Sequence, residues 1–493
     1  MNITLKSIKF RIIEGIKERT AMDFLSQSIK NTEWEGKVFL AGGAVRDELM
    51  GKDPKDLDLL VNAPNGGIEF AKWITKKVGA YKGGASDEDT SSNPVIFPRF
   101  GTAKFNLRGV VHNGVDIGDM DIEAVMPRKE QYTAGSRKPT VSGGELKDDV
   151  ERRDFTVNSL LKDLSSGEVL DLTGMGKDDI KAGIIRTPLS PDKIFTDDPL
   201  RMLRAIRFAV KYNWKLPMFM LRGLKKNAAQ LKNISNERVR DELDKMLMTG
   251  SPSKAIKLMK VVGLLQYVIP ELIPAIKMTQ NKHHKTGKSG TVFGHTLDVL
   301  KNTPPNLIAR LGALFHDIGK TTTREIINNE IHFYSHESVG ADMTEKILTR
   351  LKYPHNIIAP VVLGVKNHMR LKQSGKEGEI VSDKSLRKLS VDLGEHLQDI
   401  LSIMHADNIS HSSTSSMPNQ IPGIIARLEK LKSSIPQKGQ KLPVSGEDLK
   451  QLGLTPGPLY KELLDLVKDK QLENPNTTKD EYLELIKTHL KTK

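Results

Sequence analysis

The 493-residue chain predicts an α+β protein, a head with a small mixed sheet followed by all-helical segments. Three observations carry this. Between Lys37 and about Leu164, short apolar runs alternate with glycine turns and helical stretches, the pattern of strands and helices in mixed order. From about Asp178 strand signals fade and helical periodicity takes over. Histidine use also changes, with 11 of the 13 histidines lying between His283 and His411. The length suits about three domains at ~150 residues each. The expected segments are a head over 1–165, a helical neck over 166–275, a histidine-rich helical domain over 276–412 and a helical tail over 413–493.

Composition excludes several classes. No run of 18 apolar residues is present, so no membrane span is expected. The opening "MNITLKSIKFRIIEGIKERT" is broken by charges and lacks the apolar core of a signal peptide. With no cysteine, disulfides, thiolate nucleophiles and Cys-ligated zinc are excluded, and a cytoplasmic location is expected. The net charge of +14 fits either an ordinary basic protein or one with a nucleic-acid partner. Aromatics are 5% of residues, which favours a reader of folded RNA over a base-stacking single-strand binder.

Residues 1 to about 35 read as one polar-faced helix. "VFLAGGAVRDELMGKDPKDLDLLVN" (38–62) then reads as strand, Gly-Gly turn, short helix, turn and strand. It lacks the G-x-G-x-x-G of a dinucleotide turn and the Gly-Lys-Ser/Thr of a P-loop. Asp56 and Asp58 are two apart on the last strand and share one face. Their mutual repulsion is costly unless a cation lies between them, although acids at a strand start are also common. In "MDIEAVMPRKEQY" (120–132), Glu123 offers a third carboxylate, with Asp121 and Asp116 as alternatives. The stretches 81–94 and 132–149 read as polar loops. "ERRDFTVNSLL" (151–161) reads at its plainest as a helix start capped by Asp154 or Thr156. In "DDPLRMLRAIRFAVKY" (197–212), Pro199 suits a first helical turn, and Arg201, Arg204 and Arg207 form one ridge, either solvated or ligand-facing.

The later region brings His295 ("VFGHTLDVL"), His316-Asp317 ("ALFHDIGK"), His336 ("FYSHESVGA"), His368 ("KNHMRL") and Asp407 ("HADN"), each on or beside a helical pattern. Imidazoles and carboxylates hold a transition metal or Mg2+ when cysteine is absent. A lone buried histidine is ordinarily structural; this set is harder to dismiss. "HHKTGKSG" (283–290) reads as a solvated basic loop and "HSSTSSMPNQIPG" (411–423) as a linker or long loop. The tail alternates helices with turns such as "LTPGP".

Taken in order, the four head segments resemble the class II tRNA nucleotidyltransferase and poly(A) polymerase family, whose head has the polymerase-β-like nucleotidyltransferase fold. "GGAVRD…DLD" is similar to its metal motif, "RRDFTVNSL" to its ribose motif, "DLTGMGKDDI" (171–180) to its hinge, with Gly-Met-Gly where Gly-Gly is usual. "DDPLRMLRAIRF" is similar to the base-selecting motif and "NERVRDELDKML" (236–247) to the last head motif. The resemblance implies Mg2+ held by Asp56 and Asp58 with Glu123 as third carboxylate, all three catalytic. It implies Gly43 and Arg46 at the triphosphate, and Arg152, Arg153 and Asp154 at the ribose. Asp198 and Arg201 fall at the base, with Arg204 and Arg207 in the same nucleotide-binding motif; Asp197 replaces the usual Glu. Cytosine and adenine both present an amino donor beside a ring-nitrogen acceptor, which an Asp acceptor and an Arg donor satisfy. Uracil and guanine reverse the pattern and leave buried groups unpaired, at about 1–3 kcal/mol each.

The histidine set resembles the HD metal-dependent phosphohydrolase superfamily. His295, His316, Asp317 and Asp407 match its core ligands, and His336 and His368 the extra ligands of two-metal members, for Mg2+, Mn2+, Ni2+ or a similar divalent ion. The implied substrate is a 2′,3′-cyclic phosphate, a 2′-nucleotide or a 3′-phosphate at an RNA end. The HD fusion, "HFYSHESVGADMTEKILTRLKYP" and the tail (442–487) resemble the bacterial CCA-adding branch, which implies tRNA, CTP and ATP as partners. The alternatives are a poly(A) polymerase or A-only adding enzyme, and an RNA-end phosphohydrolase whose head only binds RNA.

Overall fold

The computed structural model describes residues 5–54, 56–82, 93–131, 140–280, 290–412, 415–436 and 441–492. Most of the predicted loops at 81–94 and 283–290, and residues 132–139 of the loop at 132–149, lie outside these. The chain divides into two compact units, Met1–Ile234 and Ser235–Lys493.

In the first unit, helix α1 (Leu5–Ile29) buries Ala21, Leu25 and Ile29, a stripe at four-residue spacing, in the head core. The sheet has seven strands: β1 (Val38–Ala41), β2 (Leu57–Val61), β3 (Val95–Phe97), β4 (Thr102–Phe105), β5 (Ile122–Val125), β6 (Leu161–Asp163) and β7 (Val169–Leu170), in spatial order β7-β6-β1-β2-β5-β4-β3. Period-two alternation sends Val38 and Leu40 into the core shared with α1, and Phe39 and Ala41 into a smaller core on the other face. Likewise Leu57, Leu59 and Val61 face the larger core, while Leu60 joins Val150 in the smaller one. Asp58 shares the face of Leu60. Short helix α2 (Gly43–Leu49) connects β1 to β2, as the reading of 38–62 requires.

Pairing is antiparallel except between β2 and β5, which run parallel with Asp58 opposite Glu123. Both strands therefore begin at the same edge of the sheet. Helix α3 (Gly66–Lys77) packs on the larger core, α4 (Leu146–Glu151) on the smaller, and α5 (Arg201–Tyr212) carries the arginine ridge.

The second unit is helical, including α6 (Val292–Asn302), α7 (Leu307–Phe315), α8 (His336–Arg350), α9 (His355–Asn367) and α10 (Leu397–Ile409). One departure from the all-helical expectation is a two-stranded ribbon, Arg324–Ile327 with Glu330–Phe333. Its turn uses Asn328 and Asn329, both at positive φ, a conformation asparagine tolerates. The reading of 411–423 as linker also shortens, since a helix already begins at Gln420.

Candidate functional site

In the head, Asp58 is the second residue of β2 and lies in register with Glu123, the second residue of β5. Neighbouring parallel positions point their side chains to the same side, so the two carboxylates stand together with Asp56 just upstream. Loss of hydration raises the Asp58 carboxyl above its ordinary range, Glu123 and Asp56 raise it further, and only Arg153 opposes them. A site that resists a second negative charge is one a divalent cation relieves. Asp121, by contrast, pairs with Lys104 Nζ at 2.8 Å, and Asp116 Oδ1 accepts from the Gly118 amide at 2.8 Å within a turn. These bonds commit both alternatives to local contacts.

Gly42 sits at φ 70° between β1 and α2, and a Cβ there would lie 2.9 Å from Arg153 Nη1. The positive φ favours glycine there, and a side chain would also displace the Arg153 guanidinium. Gly43 opens α2, with the Arg46 guanidinium as its nearest neighbour. Arg46 itself is buried: it pairs with Asp47 at 2.8 Å, donates to Asn158 Oδ1, and lies over the Phe208 and Tyr212 rings at 5.2 and 5.0 Å.

Both ribose-motif arginines hang from a residue the sequence reading passed over. Asp149, wholly buried, accepts from Arg152 Nε at 3.0 Å through one oxygen and from Arg153 Nε and Nη2 at 3.0 and 2.9 Å through the other. Burial alone would raise its carboxyl, but the two guanidiniums overcome that and hold it below the ordinary range. Three- and four-residue spacing in "DDVERR" was the available signal. Asp154 faces the other way: Oδ2 accepts from Arg204 Nε and Nη2 at 2.9 and 2.7 Å, and Oδ1 from Asn158 Nδ2 at 2.9 Å. Asn158 thereby joins Arg46 to Asp154, a link with no local sequence signal.

On α5, Arg207 lies over Phe208 at 4.4 Å. Asp198 Oδ1 accepts from the Leu200 amide at 3.1 Å at the helix start. Arg201 Nη1 is a buried donor with no hydrogen-bond partner among the described residues. Such a donor is costly unless a ligand satisfies it. Asp197 pairs with Lys193 at 2.8 Å.

In the second unit, helix ends bring the six predicted ligands to one buried cluster. His316 and Asp317 follow α7, His336 opens α8, His368 follows α9, and His295 and Asp407 lie within α6 and α10. Asp317 Oδ2 is 3.3 Å from His316 Nε2 and 3.9 Å from His295 Nε2, while Oδ1 is 3.5 Å from His336 Nε2 and 3.8 Å from His368 Nε2. His295 Nε2 meets Asp407 Oδ1 at 2.8 Å. His316, His336 and His368 each direct Nδ1 to a backbone carbonyl three residues earlier, at 2.8, 2.8 and 2.7 Å. That fixes the tautomer and leaves Nε2 as the coordinating atom. All three Nε2 atoms are buried without a hydrogen-bond partner among the described residues. Burial lowers His336, and lowers His368 to about 3, so both stay neutral; at His316 burial is outweighed by Asp317 and Asp407, which raise it. Nitrogen and oxygen donors without sulfur fit a divalent ion such as Mg2+, Mn2+ or Ni2+.

Three further residues frame this cluster. Lys320 donates to Asp317 Oδ2 at 2.7 Å, Lys372 pairs with Asp407 Oδ2 at 2.6 Å, and His411 directs Nδ1 to the Asp407 carbonyl at 2.7 Å. Gly319 permits the close approach of His336: a Cβ there would lie 2.1 Å from the His336 carbonyl oxygen.

Residues 38–186 match the family model of the poly A polymerase head domain, 220–276 that of the probable RNA and SrmB-binding site of polymerase A, and 292–405 that of the HD domain. The chain is 32% identical over 335 residues to the A-adding tRNA nucleotidyltransferase of Deinococcus radiodurans, covering 65% of this chain and 74% of that protein. It is 28% identical over 460 residues to the CC-adding tRNA nucleotidyltransferase of Thermus thermophilus, covering 90% and 92%. Its fold is similar to the crystal structure of the Bacillus stearothermophilus CCA-adding enzyme in complex with CTP, with TM-score 0.66 and 22% identity over 97% of this chain and 99% of that one. With these motifs in one chain, it belongs to the tRNA nucleotidyltransferase and poly(A) polymerase family, as a nucleotidyltransferase whose head is fused to an HD domain.

Proposed function

We propose that this protein adds C, C and A to the 3′ end of tRNA from CTP and ATP, without a nucleic-acid template. The observation that carries the reading is the in-register pair of Asp58 and Glu123, with Asp56 beside them. These three carboxylates would hold Mg2+, which when bound supplies charge neutralisation at the transferring phosphate and the leaving pyrophosphate. The chain's own residues orient the nucleotide. Arg152 and Arg153, both fixed by Asp149, would meet the ribose and phosphates, Arg153 being the cation that bears on Asp58. Gly42 and Gly43 let the backbone come close to the triphosphate. Arg46 and Asp154, both taken up inside the protein, hold these groups in place through Asn158.

At the base, Arg201 Nη1 donates to the ring nitrogen and Asp198 accepts from the amino group. One pair of side chains thus accepts both cytosine and adenine. The net charge of +14 supports tRNA as partner. The functional segments we assign are the head to about 165, neck to 275, HD domain to 412 and RNA-binding tail beyond, in a cytoplasmic protein.

The six-ligand cluster supports a second activity, hydrolysis of phosphate at RNA 3′ ends. Its four imidazoles and two carboxylates would hold one or two divalent ions, which when bound activate water. An A-only reading stands second for the head, favoured by the identity to the A-adding relative. The test is incubation with tRNA transcripts ending at the discriminator base, with CTP alone, ATP alone or both. Two C additions followed by one A support the proposal; A addition alone supports the second reading, and long A tails support a poly(A) polymerase.

A further inference from the structure

The N-terminal helix α1 precedes the residues matched by the poly A polymerase head, which begin at 38. Its second half is anchored in the head core by Ala21, Leu25 and Ile29. Before that anchor, its surface meets two loops. Arg19 Nη2 donates to Asp53 Oδ1, in the loop between α2 and β2. Lys17 Nζ donates to both Asp119 oxygens, at 2.8 and 3.1 Å, in the turn that leads into β5. Asp23, beside the anchor, adds a third tie, accepting from Asn113 Nδ2 at 3.2 Å and lying 2.8 Å from His112 Nε2, in a two-stranded ribbon (Val111–His112 with Val115–Asp116) before that turn. Gly15 is fitted to the first loop: a Cβ there would fall 2.3 Å from Asp53 Cγ and 2.5 Å from its Cβ.

The placement is not arbitrary. Asp53 lies three residues before Asp56, and Asp119 four before Glu123. Because β2 and β5 run parallel, both loops deliver a carboxylate to the same edge of the sheet, and α1 touches both. We infer that Gly15, Lys17 and Arg19 are positioning residues that set the spacing between Asp56–Asp58 and Glu123. This rests on the nucleotidyl-transfer reading of the head. The ion pairs are exposed, and pairs of this kind hardly move overall stability. Their effect is on geometry, where small displacements are felt strongly in rate.

Two variants of the full chain test it, Lys17→Gln/Arg19→Gln and Gly15→Ala. A methyl at Gly15 must push Asp53 and its loop aside, and the measured Tm separates that local displacement from a loss of fold. We expect kcat for CTP addition to fall about tenfold in both, with KM for CTP within about twofold and Tm unchanged. Mn2+ affinity of the head, taken as the part of an EPR titration that Asp58→Ala removes, should fall about tenfold. Lys17→Arg/Arg19→Lys should restore both. Unchanged kcat and Mn2+ affinity, a loss that tracks a fall in Tm, or no rescue would each overturn the inference. If the unaltered chain adds no nucleotide, the polymerase reading fails, and the Mn2+ titration decides the positioning role by itself.

Discussion

Asp58 and Glu123 are 65 residues apart in sequence and meet at one register position. Replacing Asp58 by Ala removes half of that pair, and addition should fall by at least about 10³-fold, since a metal clamp contributes several kcal/mol to the transition state. The HD activity should persist in the same preparation; retained addition would sink the metal assignment. Asp198→Ala should lose discrimination among CTP, ATP, UTP and GTP before it loses all chemistry, measured as kcat/KM for each nucleotide. Asp149 makes a pH prediction. Its carboxyl is held below the ordinary range in the fold, so its contribution to stability is present above about pH 4, the unfolded value, and is lost as pH falls further. Asp149→Asn should flatten that dependence and cost about 3 kcal/mol near neutral pH, by urea unfolding followed from pH 3 to 7. Sequence made the residue types of the site legible, because motif spacing lists what chemistry needs. It left the partners unread: the burial of Arg46 among Asn158, Phe208 and Tyr212 depends on contacts more than a hundred residues apart.

At the scale of elements, apolar runs bounded by turn residues revealed β1 and β2, and two-residue spacing placed Asp56 and Asp58 on one face. It left open which of Glu123, Asp121 and Asp116 would stand beside them, since strand order and register are long-range choices. The histidines were legible as a set because each sits at or near a helix end, where a turn can aim it inward. The ribbon at 324–333 was not, being short, exposed and flanked by helix-forming sequence. The close packing of Gly319 on His336 carries its own test. Gly319→Ala puts a methyl 2.1 Å from a backbone oxygen, so the start of α8 must move. Bound Mn2+ or Ni2+ in the second unit should drop about tenfold by equilibrium dialysis, with CTP and ATP addition intact.

For the whole molecule, two compact units, one with the in-register carboxylates and the other with the histidine cluster, argue for separable activities. His316→Ala/Asp317→Ala should abolish phosphate release from 3′-phosphorylated RNA while leaving nucleotide addition within about twofold of the unaltered chain. The most direct test of the central claim is single-nucleotide gel analysis of a tRNA transcript lacking its 3′ CCA, incubated with the purified full chain, Mg2+, CTP and ATP. The product should be longer by three nucleotides and read C, C, A, with CTP alone stopping at two. A transcript extended by A alone, extended without limit, or not extended at all would contradict it.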